Sequence, residues 1–257
     1  MRVVAFANNR VGRDLVRFLA QAPATELVGL VVHTCERAAS REQIIEQSGL
    51  EDGAILDAPK LRTEEGLHWL RRRAPDLGAS IFFGHILKPA ALELFGNGVV
   101  NIHPAYLPYN KGAFPNVWSI VDGTPAGVTL HFLDQGVDTG DIVARREVRV
   151  EPTDTGKALY HRLEEACVDL FEDTWPDILS GRANRTPQSV EEGTFHRSRD
   201  VEQIDPIDLD EQMSARDLIN RLRARTFPPH EGCYFEKGGT KVFMRLQLWR
   251  EGEDPVE

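Results

Sequence analysis

The sequence predicts an α/β fold: a mostly parallel sheet with helices on both faces, followed by a small C-terminal β-rich appendage. Through the first half of the chain, short apolar runs bounded by turn residues alternate with stretches of helical apolar spacing, as crossover connections between parallel strands require. A long stretch from Leu159 to Ile178 keeps helical spacing throughout and suits a helix that covers a sheet. Near the C-terminus, CYFEKGGTKVFMRLQLW turns at Gly238 and Gly239, a hairpin signature.

The elements follow in order. RVVAFA (2–7) reads as a buried strand, and Asn8, Asn9 and Arg10 open a helix marked by Leu15, Phe18 and Leu19. ELVGLVVH (26–33) is a second strand. Ser40 with Gln43 has the form of a capping box opening a short helix before Gly49, and Thr63 to Arg73 forms another helix. ASIFFGHIL (79–87) is a strand running into a loop, Pro89 to Phe95 a short helix, and GVVNIHP (98–104) the next strand. Beyond Gly127 two strands, GVTLHFLD and DIVARREVRV, flank the turn QGVDTG. Leu159, Leu163, Ala166, Leu170, Phe171, Trp175 and Ile178 then mark the long helix. Pro176, Gly181 and the polar run GRANRTPQSVEEG predict a boundary, so residues 1–185 are expected to form the catalytic domain and 186–257 a small C-terminal region. The latter has a helix capped at Ser214 with Asp217 before the hairpin.

Bulk properties narrow the function. With 257 residues, 41% hydrophobic and 27% charged, the chain is an ordinary globular protein with room for one large core and an appendage. A net charge of −10 argues against a large nucleic acid as partner but leaves room for a small phosphorylated ligand held by a few arginines. No segment reaches a membrane span, and the first fifteen residues lack a signal-peptide pattern. Cys35, Cys167 and Cys233 are few, odd in number and scattered, which suits a reducing compartment and offers no zinc spacing. A cytoplasmic protein without a metal or a membrane partner is expected.

The candidate chemistry lies in NIHPAYLPYNKG. Residues two apart on a strand share a face, so Asn101 and His103 can address one ligand where their strand ends. An imidazole can accept and return a proton, and a carboxamide NH2 can donate to a developing oxyanion, a pairing suited to acyl transfer. Asp138, in the turn after another strand, can orient the histidine and favour its charged form. From spacing alone a turn cap, a satisfied strand-end histidine and a turn-stabilising aspartate account for the same residues equally well.

The blocks FFGHILKPAAL, NIHPAYLPYNKGAFPNVWSI and GVTLHFLDQGVDTGDIV, in this order, resemble the catalytic domain of the 10-formyltetrahydrofolate-dependent formyltransferases. The resemblance covers about the first seventy per cent of the chain, a size that suits one Rossmann-like domain. It implies an Asn-His-Asp site at Asn101, His103 and Asp138: His103 relays the proton of the attacking amine, Asn101 stabilises the oxyanion, and Asp138 raises the histidine pKa. It also implies a folate pocket at His85, Ile86 and Leu87 on one loop and Asp134, Gln135, Gly136, Val137 and Asp138 on another. Read without the resemblance, His85 is an ordinary loop histidine, and Ile86 and Leu87 are core. Ala113 replaces a basic residue found in some relatives.

Within that family LPYNKGAFPNVWSI is most similar to the sugar N-formyltransferases that act on nucleotide-linked amino-deoxysugars, and the segment after Gly193 is small for a tRNA-docking module. The tail TFHRSRD…DLINRLRARTFPPHEGCYF resembles that of sugar-modifying relatives. Guanidinium groups suit phosphate oxygens, which makes Arg10, Arg197 and Arg199 candidates beside Lys111, with Asn9 placed for the sugar; a solvated surface role accounts for each of them too. Trp118 and Phe114 are candidates for lining the cleft or for packing. His33, His68, His131, His161, His196 and His230 show no metal spacing and receive no role. The expected partners are folate and a nucleotide-linked aminosugar for a bacterial surface glycan such as O-antigen or lipopolysaccharide, with a homodimer suggested by the hairpin. Alternatives are transfer to methionyl-tRNA or glycinamide ribonucleotide, a formyltetrahydrofolate hydrolase, or a silent folate- or nucleotide-binding module.

Overall fold

The computed structural model describes residues 1–34, 39–189 and 192–253, which leaves Cys35 outside the described residues. Its elements run β1 (Arg2–Ala7), α1 (Asn9–Gln21), β2 (Glu26–Val32), α2 (Arg41–Ser48), β3 (Ile55–Asp57), α3 (Glu64–Arg73), β4 (Leu77–Ile81), α4 (Pro89–Leu92) and β5 (Val99–His103). They continue with β6 (Lys111–Gly112), α5 (Pro115–Val121), β7 (Gly127–Phe132), β8 (Ile142–Glu147) and α6 (Gly156–Leu179). The last are β9 (Phe195–His196), α7 (Val201–Ile204), α8 (Ala215–Ala224), β10 (Tyr234–Lys237) and β11 (Thr240–Phe243).

Among the described residues seven strands form one sheet in the order β3-β2-β1-β4-β5-β7-β8. β1 is parallel to β2 and to β4, β2 to β3, and β4 to β5, whereas β7 runs antiparallel to β5. The order reverses between β1 and β4, and open α/β sheets bind ligands outside the carboxyl ends of strands at such a switch. Asn8 to Arg10 follow one of these ends and Phe82 to Leu87 the other.

Both faces are covered, as the sequence predicts. Val4 and Phe6 of β1 bury one way, into a cluster with Leu56, Leu61, Leu70, Leu87 and Phe95. On the neighbouring position Ala7 meets α1, where a Cβ added to Gly12 would sit 3.2 Å from its methyl carbon. α1 buries Val11, Leu15, Val16 and Leu19 on one stripe. Phe18 meets Phe171 of α6 edge-on at 6.3 Å, Phe171 stacks on Trp175 at 5.0 Å, and the Trp175 indole donates to Thr25 Oγ1 at 3.0 Å. The alternation of strand and helix in the sequence is therefore the alternation of sheet and covering layer.

Two local expectations change. Ser40 precedes α2, but at φ 61 and ψ 22 it leaves the extended conformation that lets an N-cap side chain reach back, and it makes no cap hydrogen bond. Thr63 and Ser214 do cap α3 and α8, accepting from Gly66 and Asp217 N–H. The helix expected from Pro89 to Phe95 is shorter, Pro89–Leu92. The hairpin turns at Gly238 and Gly239, where φ is 60 and 77, a backbone that favours glycine.

The chain divides into two compact units interleaved along the sequence. The first holds Met1–His103, Thr129–Arg145 and Cys167–Ser189; the second holds Pro104–Val128, Arg146–Ala166 and the described residues from 192 onwards. In the second, Asn110 is fully buried and its carboxamide nitrogen meets Ser119 Oγ at 2.9 Å and Thr124 Oγ1 at 2.8 Å. Its carboxamide oxygen accepts from Thr194 Oγ1 at 3.0 Å, and its N–H donates to the same hydroxyl at 2.8 Å. β6 pairs in parallel with β9 beside this node. Among the described residues no helix is long and apolar enough to cross a membrane.

Candidate active site

Alternation along β5 turns Ile102 to one face and Asn101 and His103 to the other. His103 is 8% exposed, at the last position of the strand. β7 lies antiparallel to β5 with Asn101 opposite His131 and His103 opposite Thr129. Thr129 and His131 are fully buried polar residues on an otherwise apolar strand.

After β7 the chain folds back. Phe132 N–H donates to Asp141 O at 2.9 Å, closing a loop over 133–140. Gly140 is required there, since a Cβ on it would fall 2.0 Å from Phe132 O. Within the loop the Asp134 carboxylate accepts from Gly136 N–H at 2.8 Å and from Thr139 Oγ1 at 2.7 Å, an Asx turn. Asp138 takes a left-handed backbone, φ 55, which costs a non-glycine residue roughly 1 kcal/mol. That conformation returns its carboxylate toward the sheet.

The carboxylate sits between two imidazoles. Asp138 Oδ2 is 3.6 Å from His103 Nε2, and Oδ1 is 3.6 Å from His131 Nε2. His131 Nε2 is 3.1 Å from Asn101 Nδ2, and the two imidazole rings are edge-on at 6.3 Å. His131 Nδ1 lies 2.9 Å from the Phe132 carbonyl, which can only accept, so in the neutral ring Nδ1 carries the hydrogen. Nε2 then accepts from the Asn101 NH2. One amide hydrogen of Asn101 is thereby engaged, and among the described residues the second is left for another acceptor.

Asn101, His103 and Asp138 are thus brought together, and His131 joins them although the sequence reading gave it no role. Its local signal was a histidine two residues from a threonine on an otherwise apolar strand, GVTLHF. Its position opposite Asn101 depends on the pairing of β5 with β7, which no local pattern specifies.

The two loops expected to hold folate root in the same apolar cluster. Leu87 is buried in it, and Phe83 and Leu133 pack against it. His85 lies 4.7 Å from the His33 ring and 5.4 Å from Phe83, while His33 Nε2 accepts from Gly84 N–H at 3.2 Å. Ile86 is 62% exposed and Val137 41%, large apolar side chains held at the surface; Gln135 and Gly136 are exposed as well. Core placement holds for Leu87 and fails for Ile86, because its loop leaves the sheet before it.

The candidate substrate residues fall in both units. Asn9, at φ 57, uses its side-chain oxygen to accept from Val11 N–H at 2.9 Å, and exposed Arg10 follows it in the first turn of α1. Lys111 is 9% exposed in β6, paired with Phe195. Arg197 and Arg199 follow β9 in a single 3-10 turn, where Arg197 N–H donates to the Asp200 carboxylate at 2.6 Å. Trp118 is 5% exposed and stacks on His196 at 4.0 Å, which is packing; Phe114 is 43% exposed. Among the described residues no group of three or more His, Cys, Asp or Glu side chains could hold a metal ion.

Two family profiles and several known proteins match this chain. A family profile described as "Formyl transferase" covers residues 24–174, and one described as "N-formyltransferase dimerization C-terminal domain" covers 200–250. The dTDP-4-amino-4,6-dideoxyglucose formyltransferase of Mycobacterium tuberculosis is 38% identical over 66% of this chain and 71% of its own. A methionyl-tRNA formyltransferase of Listeria monocytogenes is 31% identical over 93% of this chain and 78% of its own. The crystal structure of a 4-N formyltransferase from Francisella tularensis superposes with a TM-score of 0.84 at 26% identity, covering 97% of this chain and 98% of that one.

Proposed function

This chain belongs to the formyl transferase family, and on that premise we propose that it moves the formyl group of 10-formyltetrahydrofolate to the amine of a nucleotide-linked amino-deoxysugar. The reaction needs a donor for the developing oxyanion, a base for the attacking amine and an acid for the leaving nitrogen. The amine lone pair adds to the formyl carbon, and Asn101 directs its second amide hydrogen at the oxygen. His103 takes a proton from the attacking nitrogen and delivers it to N10 of the folate as the bond from carbon to N10 breaks. Asp138 faces the imidazolium that forms in between. Such an oxyanion donor contributes about 10²–10³ in rate, and a positioned acid–base about 10²–10⁴.

The main support is the run of contacts from Asn101 through His131 and Asp138 to His103, at 3.1, 3.6 and 3.6 Å. We assign the pterin to the loops bearing His85, Ile86 and Leu87 and Asp134, Gln135, Gly136 and Val137. The nucleotide sugar is assigned to Asn9, Arg10, Lys111, Arg197 and Arg199. Residues 1–185 act as the catalytic portion and 186–257 as a C-terminal region that pairs two copies. Ile219, Val242, Phe243 and Trp249 leave large apolar surfaces exposed within the segment matched by the dimerization profile. The work is placed in the cytoplasm, on precursors of a bacterial surface glycan such as O-antigen.

The test is a panel of amines incubated with purified protein and 10-formyltetrahydrofolate, read by the mass of the product. A formyl gain on dTDP-4-amino-4,6-dideoxyglucose or another aminosugar nucleotide is expected, with one tetrahydrofolate released per product. Formylation of methionyl-tRNA alone would replace the proposed acceptor, and folate consumed without any amine would make the protein a hydrolase.

A further inference from the structure

Residues 182–189 of the polar stretch after α6, which the sequence marks as a boundary and which lies between the two matched family profiles, run along the edge of the sheet and the loop of Asp138. The Arg185 guanidinium lies 3.5 Å over the Phe132 ring, at the end of β7, and donates to Asn97 O at 3.4 Å. Thr186 forms an antiparallel bridge with Ile142, exchanging N–H to carbonyl bonds of 2.8 and 2.9 Å. Two residues on, the Gln188 NH2 donates to Asp138 O at 3.0 Å and to Gly140 O at 2.7 Å.

We propose that Gln188 is a positioning residue for formyl transfer, holding the Asp138 loop in its working conformation through the carbonyls of Asp138 and Gly140. The carbonyls need donors, and a carboxamide NH2 supplies two from one atom. Orienting the amide this way leaves Gln188 Oε1 buried without a partner among the described residues, which is unfavourable unless the two donor bonds are worth more. Asp138 sits at φ 55, a conformation that surrounding structure must impose on an aspartate. Gln188 binds the carbonyl of that same residue, so its side chain fixes the peptide plane from which the carboxylate reaches His103 and His131. A spacer between domains would need none of these contacts.

The inference rests on Asp138 acting in the proposed reaction, and the experiment separates the two. Turnover is followed with 10-formyltetrahydrofolate and dTDP-4-amino-4,6-dideoxyglucose in Gln188→Met, which keeps length and removes the donors, and in Gln188→Lys, which keeps a donor of similar reach. The Met variant is expected to lose about 10- to 100-fold in kcat, as a misplaced catalytic group does, while the Lys variant stays within about threefold of wild type. Melting temperatures should stay within about 2 °C for both. In an Asp138→Asn background the Met substitution should cost less than about twofold further, because both act through one group. A Met variant within twofold of wild type, an equal loss in the Asp138→Asn background, or a loss matched by a fall in melting temperature would each overturn the assignment. Retained turnover in His103→Ala would instead overturn the reading of the site itself.

Discussion

Asn101 and Asn110 lie nine residues apart in one stretch of sequence and serve opposite ends. Asn110, fully buried, is bonded at 2.8–3.0 Å to Ser119, Thr124 and Thr194 and ties a loop of the second unit together. Asn101, half-buried in the first unit, spends one amide hydrogen on His131, and beside it the Asp138 carboxylate is 3.6 Å from each imidazole. A polar group that builds the fold is surrounded by short bonds that are already made. One that acts is held in place by its far side, with a near side left for a reactant.

The comparison is sharpest under substitution. Asn101→Ala should lower kcat by about 10²–10³-fold, the loss seen when an oxyanion donor is removed, with a melting temperature lower by about 2–4 °C for the hydrogen bond lost to His131. Asn110→Ala should do the reverse: it strands the buried Ser119 hydroxyl, removes the bonds to Thr124 and Thr194, and should destabilise the fold by about 2–3 kcal/mol in urea titrations, while kcat per folded molecule holds. An Asn110 variant that loses turnover without losing stability would break the distinction. His131 tests the border between the roles. His131→Leu should cost about tenfold in kcat, and His131→Gln, which offers an acceptor near Nε2, should restore most of it, within about threefold. Equal losses in both variants would mean that the ring matters for packing and not for the hydrogen bond to Asn101.

The smallest effect concerns Cys233, buried in the second unit. Burial, with Asp205 nearby, pushes its thiol up from 9.0 to about 11. The folded state favours the protonated form, so this contribution to stability is intact below pH 9 and is lost as pH rises toward 11. In native protein at neutral pH, iodoacetamide should leave Cys233 unmodified, and turnover should be unaffected. Rapid labelling of Cys233 itself, located by peptide mapping of the native protein, would show that this region is not structural alone.

Much of the fold was legible because its signals are local. The apolar runs at 2–7 and 79–81 and the helical stripe from Leu159 to Ile178 each state their periodicity within one element. Asn101 and His103 were readable for the same reason, since a spacing of two decides their shared face. His131 and Gln188 were not, because the first acts through a register between two strands and the second through hydrogen bonds to carbonyls 48 and 50 residues earlier. GRANRTPQSVEEG has the composition of a linker, and composition carries no record of the sheet edge that Thr186 joins. Ser40 failed in the other direction: the capping pattern was present, but the chain enters α2 through a left-handed residue.

The central claim is that His103 transfers the proton in formyl transfer and is not needed to bind the donor. The most direct measurement is the single-turnover rate of formamide formation in His103→Gln with both substrates saturating, alongside calorimetric binding of 5-formyltetrahydrofolate. A rate lower by about 10²–10⁴-fold with folate affinity unchanged is the result expected. A rate near that of the unmodified protein, or a loss explained by folate that no longer binds, would contradict it.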